Sequence, residues 1–123
     1  KGVDNTEIQR DFSPGGNLKS VEMVNQETGL MSNARQLPSG TWSLYAVAPS
    51  GYTMDGSMYK IGDNQYALVS NDGSVKDFTV ETDGSITVNS KGASDWVNDE
   101  IAGLSGSLDR TAFAIIQALS TGG

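Results

Sequence analysis

The chain has no cysteine and no histidine among its 123 residues. The first absence removes disulfide staples, thiol nucleophiles and thiolate metal sites. The second removes the usual general base near neutral pH and the commonest metal ligand. Proline is scarce, at three residues, and positive charge is thin, with eight Lys and Arg against fifteen Asp and Glu. The net charge of −7 argues against binding nucleic acid or an anionic membrane through a general field, since phosphate contacts need clustered cations. The bases Lys1, Arg10, Lys19, Arg35, Lys60, Lys76, Lys91 and Arg110 are scattered and form no basic run. Only a local basic face built by folding, as in a coat protein, would escape that argument. No apolar run approaches the ~20 residues of a membrane span. No signal-like stretch is present, and the first residue is Lys1 rather than Met, which reads as a processed chain.

Gly, Ser, Thr, Asn and Gln make up for an apolar fraction of 37% and a charged fraction of 19%, both low for a globular protein. The length fits a single domain, residues 1–123, able to bury about two thirds of the surface of its unfolded chain. Such a composition suits a β-rich chain with many turns. It is common in extracellular and virion proteins, the favoured locations for this chain.

Turn chemistry sets the register of residues 65–89. Ser70-Asn71-Asp72-Gly73-Ser74 and Glu81-Thr82-Asp83-Gly84-Ser85 repeat one pattern. A two-residue turn at Asp83-Gly84 would put Phe78 and Val80 on the face opposite Ile86 and Val88. A three-residue loop, Thr82-Asp83-Gly84, pairs Val80 with Ile86 and Phe78 with Val88, and all four share a face. That loop is a type I turn followed by a left-handed glycine. A one-residue slip would waste the whole apolar set, so the three-residue loop is preferred. The same loop at Asn71-Asp72-Gly73 pairs Tyr66 with Phe78 and Leu68 with Lys76. Tyr66, Leu68, Phe78, Val80, Ile86 and Val88 then line one face of a three-stranded meander.

Elsewhere, Thr41–Ala48 alternates as a strand, with Trp42, Leu44, Ala46 and Ala48 on one side, and Pro-Ser-Gly turns bound it at 38–40 and 49–51. Asp55-Gly56-Ser57 reads as a turn joining a strand that ends near Tyr52 to another at 58–61. Segments 6–12 and 18–24 flank Ser13-Pro14-Gly15-Gly16-Asn17 as an N-terminal hairpin. Residues 25–37 carry no decisive pattern. From Ser94 the period becomes helical: Val97, Ile101 and Leu104, then Leu108, Ala112, Ile115 and Leu119. Gly103-Leu104-Ser105-Gly106 reads as a break between two helices. The expected architecture is α+β: a mostly antiparallel meander of about six to seven short strands over residues 6–89, then two short C-terminal helices over 94–120.

Catalytic chemistry finds little support. The three Asp-Gly-Ser sequences are accounted for by turn formation, and no loop has the alternating acids of a calcium site. Asp95, Asp99 and Glu100 suit the first turn of a helix, where the macrodipole favours acids. Serines are many, but no Gly-x-Ser-x-Gly elbow occurs. Pro14-Gly15-Gly16 leads into no helix and is no phosphate loop. No catalytic residue, metal site or cofactor is assigned. The aromatics remain: Tyr45, opposed in direction to Trp42, with Tyr52 or Tyr59 could stack a sugar or a protein. Trp96, Phe113 and Ile116 complete the set of candidate interface residues.

Residues 37–56, Leu37-Pro38-Ser39-Gly40-Thr41-Trp42-Ser43-Leu44-Tyr45 through Ala48-Pro49-Ser50-Gly51-Tyr52 to Gly56, resemble a segment of CnaB-type prealbumin-like domains of bacterial surface adhesins and pilins. The position of that family's bond-promoting acid holds Ala46 here, so no site carries over. The overall layout, an N-terminal hairpin, a meander and two helices, resembles single-stranded RNA phage coat proteins, whose C-terminal helices interlock with a dimer partner. These readings converge on a non-catalytic structural or assembly protein forming homo-oligomers, such as a virion coat or surface-fibre subunit. The alternative is an extracellular adhesion or carbohydrate-binding module using exposed tyrosines.

Overall fold

The computed structural model describes residues 6–71, 73–91 and 99–120. The chain is mostly β. Eight antiparallel strands, β1 (Thr6–Phe12), β2 (Leu18–Asn25), β3 (Met31–Gln36), β4 (Trp42–Val47), β5 (Thr53–Gly62), β6 (Gln65–Ser70), β7 (Val75–Val80) and β8 (Ile86–Lys91), lie side by side in sequence order. One helix, α1 (Asp99–Ser120), follows and packs on one face of the sheet.

One loop design builds most of this meander. In the turns 13–17, 37–41, 48–52, 70–74 and 81–85, the first residue's N–H donates to the fifth residue's carbonyl. The fourth residue's N–H donates back to the first carbonyl. The fourth position is glycine each time: Gly16, Gly40, Gly51, Gly73 and Gly84, with φ between 89° and 100°. That is the left-handed region, which side chains with a Cβ resist. Residues 37–52 are thus two copies of one hairpin loop bracketing β4, which is what the Leu-Pro-Ser-Gly-Thr and Ala-Pro-Ser-Gly-Tyr sequences do here. The expected register holds: Tyr66 pairs with Phe78, Leu68 with Lys76, Phe78 with Val88 and Val80 with Ile86.

Three expectations need correction. β3 exists in the region without a pattern, because its inward positions are Ser32 and Ala34. Small, partly polar side chains give no apolar alternation. Asp55-Gly56-Ser57 is not a turn; β5 runs straight through it. A Cβ on Gly56 would stand 3.1 Å from Leu68 Cδ1 and 3.4 Å from Leu108 Cδ1. The glycine makes room for the helix above it. Finally, among the described residues there is one helix, not two, and the expected start at Ser94 lies outside them. Leu104, Leu108, Ala112 and Ile115 are fully buried along one stripe, and the spacing of four from Leu104 to Leu108 continues the helical face. A glycine in a helix costs only ~1 kcal/mol against alanine, which burying such a stripe outweighs.

These glycines make opposite predictions. Gly106 lies within α1, where a Cβ would meet nothing within 4 Å. Gly106→Ala is expected to stabilise the fold by ~0.5–1 kcal/mol through helix propensity. Gly56→Ala is expected to destabilise by ~1–3 kcal/mol through overpacking. Urea unfolding of the two variants checks both signs.

The helix is gripped from both flanks. On the β2–β3 side its contacts are through small residues: Gly103 lies against Leu30, and the Thr111 hydroxyl meets that of Ser32. On the β7 side longer groups span the gap. Phe113 meets Phe78 edge to face, with ring centroids 5.8 Å apart. Lys76 Nζ donates to Ser105 Oγ at 2.9 Å and to both oxygens of Asp109 at 2.9 and 3.0 Å. Lys76 therefore occupies an inward row without standing as an unpaired charge.

Candidate functional site: the open sheet face and its edges

The helix covers one face of the sheet, and the other carries no described element. Strand alternation and the register put Glu7, Glu22, Asn33, Tyr45 and Asp55 on this outer face, with Ser43, Ser57, Ala67 and Val69 at its middle and Tyr59 and Asp77 beyond. Glu7, Asp11, Glu22, Asp55 and Asp77 lie on it with Arg35, and Lys19, at the irregularity of the β1–β2 pairing, shares a recess with Asp11 and Arg35. The side bearing α1 carries exposed cations. Arg10 sits in register with buried Val21, Lys60 with buried Tyr66, and Arg110 projects from the helix; all three are exposed. Lys76 and Asp109 form an ion pair on this side and neutralise each other.

The tyrosines do not converge. Tyr45 and Tyr59 share the outer face and are exposed. Tyr45 lies directly across from Asp55, while Tyr59 lies four residues beyond Asp55 on β5, ~13 Å along the strand. Tyr52 belongs to the 48–52 turn, where it pairs with Ala48 of the inward row, at the end of the sheet and on the other side. No two of these rings form a stacking floor for a sugar. Phe113 and Ile116 lie within the chain's own core, Ile116 with no exposure at all, because α1 folds onto its own sheet. Trp96 and Asp95 fall outside the described residues.

A shallow open depression adjoins Tyr45 and is lined by Asp55, Ser57, Val69 and Asn71. Its floor is held by a reciprocal pair, Asn71 N–H to the Asp55 carbonyl at 2.9 Å and Asp55 N–H to Asn71 Oδ1 at 3.3 Å. Sequence reasoning missed it, since only the β5–β6 register brings position 71 beside position 55. Asp83, at a turn tip, accepts from the Ser85 hydroxyl at 2.7 Å and the Ser85 N–H at 3.0 Å. These bonds hold its carboxyl below the usual range, the hydroxyl first; they serve the turn. Among the described residues no three Asp or Glu gather as a metal cage.

Among the described residues the sheet ends at β1 and β8. β1 carries Glu7, Arg10 and Asp11, charges of the kind that guard an edge against pairing. β8, Ile86-Thr87-Val88-Asn89-Ser90-Lys91, has no Pro, no Gly, no bulge in its pairing with β7 and no charge before its last residue. Its hydrogen-bond phase follows from the turn. Glu81 N–H donates to Ser85, and Val80 N–H donates away, to Asn64 of the β5–β6 turn. Alternation then makes Thr87 and Asn89 bond to β7, and leaves the N–H and C=O of Ile86 and Val88 aimed outward. Val88 is 42% exposed.

Inside, Thr111 shows how tightly α1 is seated. Its hydroxyl donates to the Ser107 carbonyl at 2.8 Å, so the buried Ser32 hydroxyl donates to Thr111 Oγ1 at 2.7 Å. Thr111→Val is expected to cost ~1–3 kcal/mol by orphaning the Ser32 hydroxyl, and Ser32→Ala with Thr111→Val to recover much of it. A double-mutant cycle by chemical denaturation reads the coupling.

No protein-family model, no curated protein and no solved structure matches the chain.

Proposed function

We propose that the chain is a non-catalytic structural protein that assembles with copies of itself, in the manner of a virion coat or surface-fibre subunit. The observation that carries this reading is the unguarded β8 edge. A free strand with outward N–H and C=O groups and an exposed valine is a template for another strand. Its best partner is its own copy. A two-fold axis through Val88 sets Val88 against Val88, Ile86 against Ser90 and Thr87 against Asn89, with no like charges opposed. The same operation on β1 about its central Gln9 opposes Glu7 to Asp11, two carboxylates, which is unfavourable. The product is one continuous sixteen-stranded sheet (twice the 8 strands of one chain) with each helix on its own half.

The scatter of Tyr45, Tyr52 and Tyr59 weighs against the carbohydrate-binding alternative. The acidic outer face weighs against nucleic acid as a partner there, because phosphates would meet carboxylates. Size-exclusion chromatography with light scattering tests the proposal: a stable dimer at micromolar concentration supports it, and a single-chain mass throughout the micromolar range sinks it.

A further inference from the structure

We infer that the two faces of the molecule bind each other in successive copies, the Glu22–Asp55 patch on the outer face of one seated on the Arg10–Arg110 strip beside the helix of the next. This rests on the self-assembly reading above and adds a second interface to the β8 edge. Two local clusters of opposite charge stand on opposite faces although their residues are interleaved in the sequence. Outward, Glu22 and Asp55 share the register row of Asn33 and Tyr45, with Glu7 on the neighbouring strand; on the helix side stand Arg10 and Arg110. Ninety-nine positions separate Arg10 from Arg110, yet both stand by β2. Arg10 is across from Val21, and Arg110 lines a small recess with Met23 and Asn25.

Exposed apolar groups accompany each set. Ile8, in register with Met23, and Phe12, with Leu18, flank Arg10 on the helix side. Tyr45 and Val69 flank Asp55 on the outer face. One strip thus offers cations with aliphatic and aromatic carbon, and the other offers carboxylates beside a tyrosine ring. A guanidinium over Tyr45 would meet the ring face and the neighbouring Asp55 carboxylate together. Two outer faces would instead oppose carboxylate to carboxylate, so the contact is face to back. Such a contact is heterologous and propagates until it closes or runs on as a fibre. With the two-fold edge contact it would build a layer or shell.

The test is a charge swap on the full chain. One variant reverses the patch, Glu22→Lys with Asp55→Lys; a second reverses the strip, Arg10→Glu with Arg110→Glu. Light scattering at low ionic strength is expected to show species larger than a dimer for the wild type. Their apparent dissociation constant should rise about tenfold or more as salt shortens the Debye length from ~30 Å to ~3 Å. Each variant alone is expected to lose these species, and an equimolar mixture to regain them, since each presents what the other lacks. Circular dichroism establishes that both variants fold. A mixture no larger than its components, or wild-type association indifferent to salt, overturns the inference. The edge dimer is read separately at high salt. A dimer there without larger species at low salt defeats the stacking alone; a monomer there defeats the edge reading.

Discussion

Phe78→Ala is expected to cost ~3–5 kcal/mol, the largest loss from any single substitution considered. Phe78 is fully buried on β7, and its ring meets the edge of Phe113 on the β7 side of the helix. The helix is close to β2 and β3 through small residues, but it reaches β7 only through long ones: Phe113 onto Phe78, and Asp109 and Ser105 onto Lys76. Removing the ring deletes the apolar half of that bridge and leaves a cavity that the sheet cannot close without breaking the β6–β7 register. Small domains hold only ~5–15 kcal/mol in total. The melting temperature should therefore fall by ~10–25 °C, read by thermal unfolding. Phe12→Ala is the control. Phe12 is more than half exposed, and its truncation should stay within ~0.5 kcal/mol.

Val88→Lys is expected to leave the fold intact and abolish the dimer. The side chain is partly exposed in the single chain, and the Val88 N–H and C=O take no part in the β7–β8 ladder, so stability should change by no more than ~0.5 kcal/mol. In the paired edge, two lysines would stand directly opposite each other at the axis, with both charges drawn out of water. The dimer dissociation constant should rise at least about a hundredfold, ~2.7 kcal/mol. Val88→Pro gives a second route to the same end. It removes an outward donor that the chain does not use, which an edge strand tolerates. Loss of the dimer in both variants with unchanged thermal unfolding assigns the effect to the edge.

Much of the sheet was legible because its turns are explicit. Asn71-Asp72-Gly73 and Thr82-Asp83-Gly84 each demanded a three-residue loop, and the two loops agreed on one face, which is why the β6–β7–β8 register could be read residue by residue. Where glycine served packing instead of turning, the same grammar misled. Gly56 lies under Leu108, and Gly103 lies against Leu30; nothing local distinguishes them from turn or cap glycines. β3 was invisible because the helix presses on Ser32 and Ala34, positions where bulk is excluded and alternation disappears. Lys76 was placed in an inward row by pairing with Leu68, but its partner Asp109 lies 33 residues on, beyond any spacing rule.

The candidate surfaces were less legible, for a different reason. The outward direction of Tyr45 follows from Trp42 by alternation alone, but whether Tyr45, Tyr52 and Tyr59 meet depends on how three strands and a turn are ordered. The helix stripe containing Ile116 was apolar on any reading; only the fold decides that its own sheet covers it. That β8 ends the sheet is a statement about topology, made by the absence of any described strand beyond it, and no residue within 86–91 announces it. The segregation of Arg10 and Arg110 from Glu22 and Asp55 likewise needs the register of five strands and the seat of the helix.

The most direct test of the assembly claim is the solution mass of the unmodified chain at high salt, measured by light scattering across the micromolar range. The β8 pairing predicts twice the 12.9 kDa chain mass, held down to low micromolar concentration and reduced to the single-chain value by Val88→Lys. A single-chain mass for the wild type, or a dimer that Val88→Lys leaves unchanged, would contradict it.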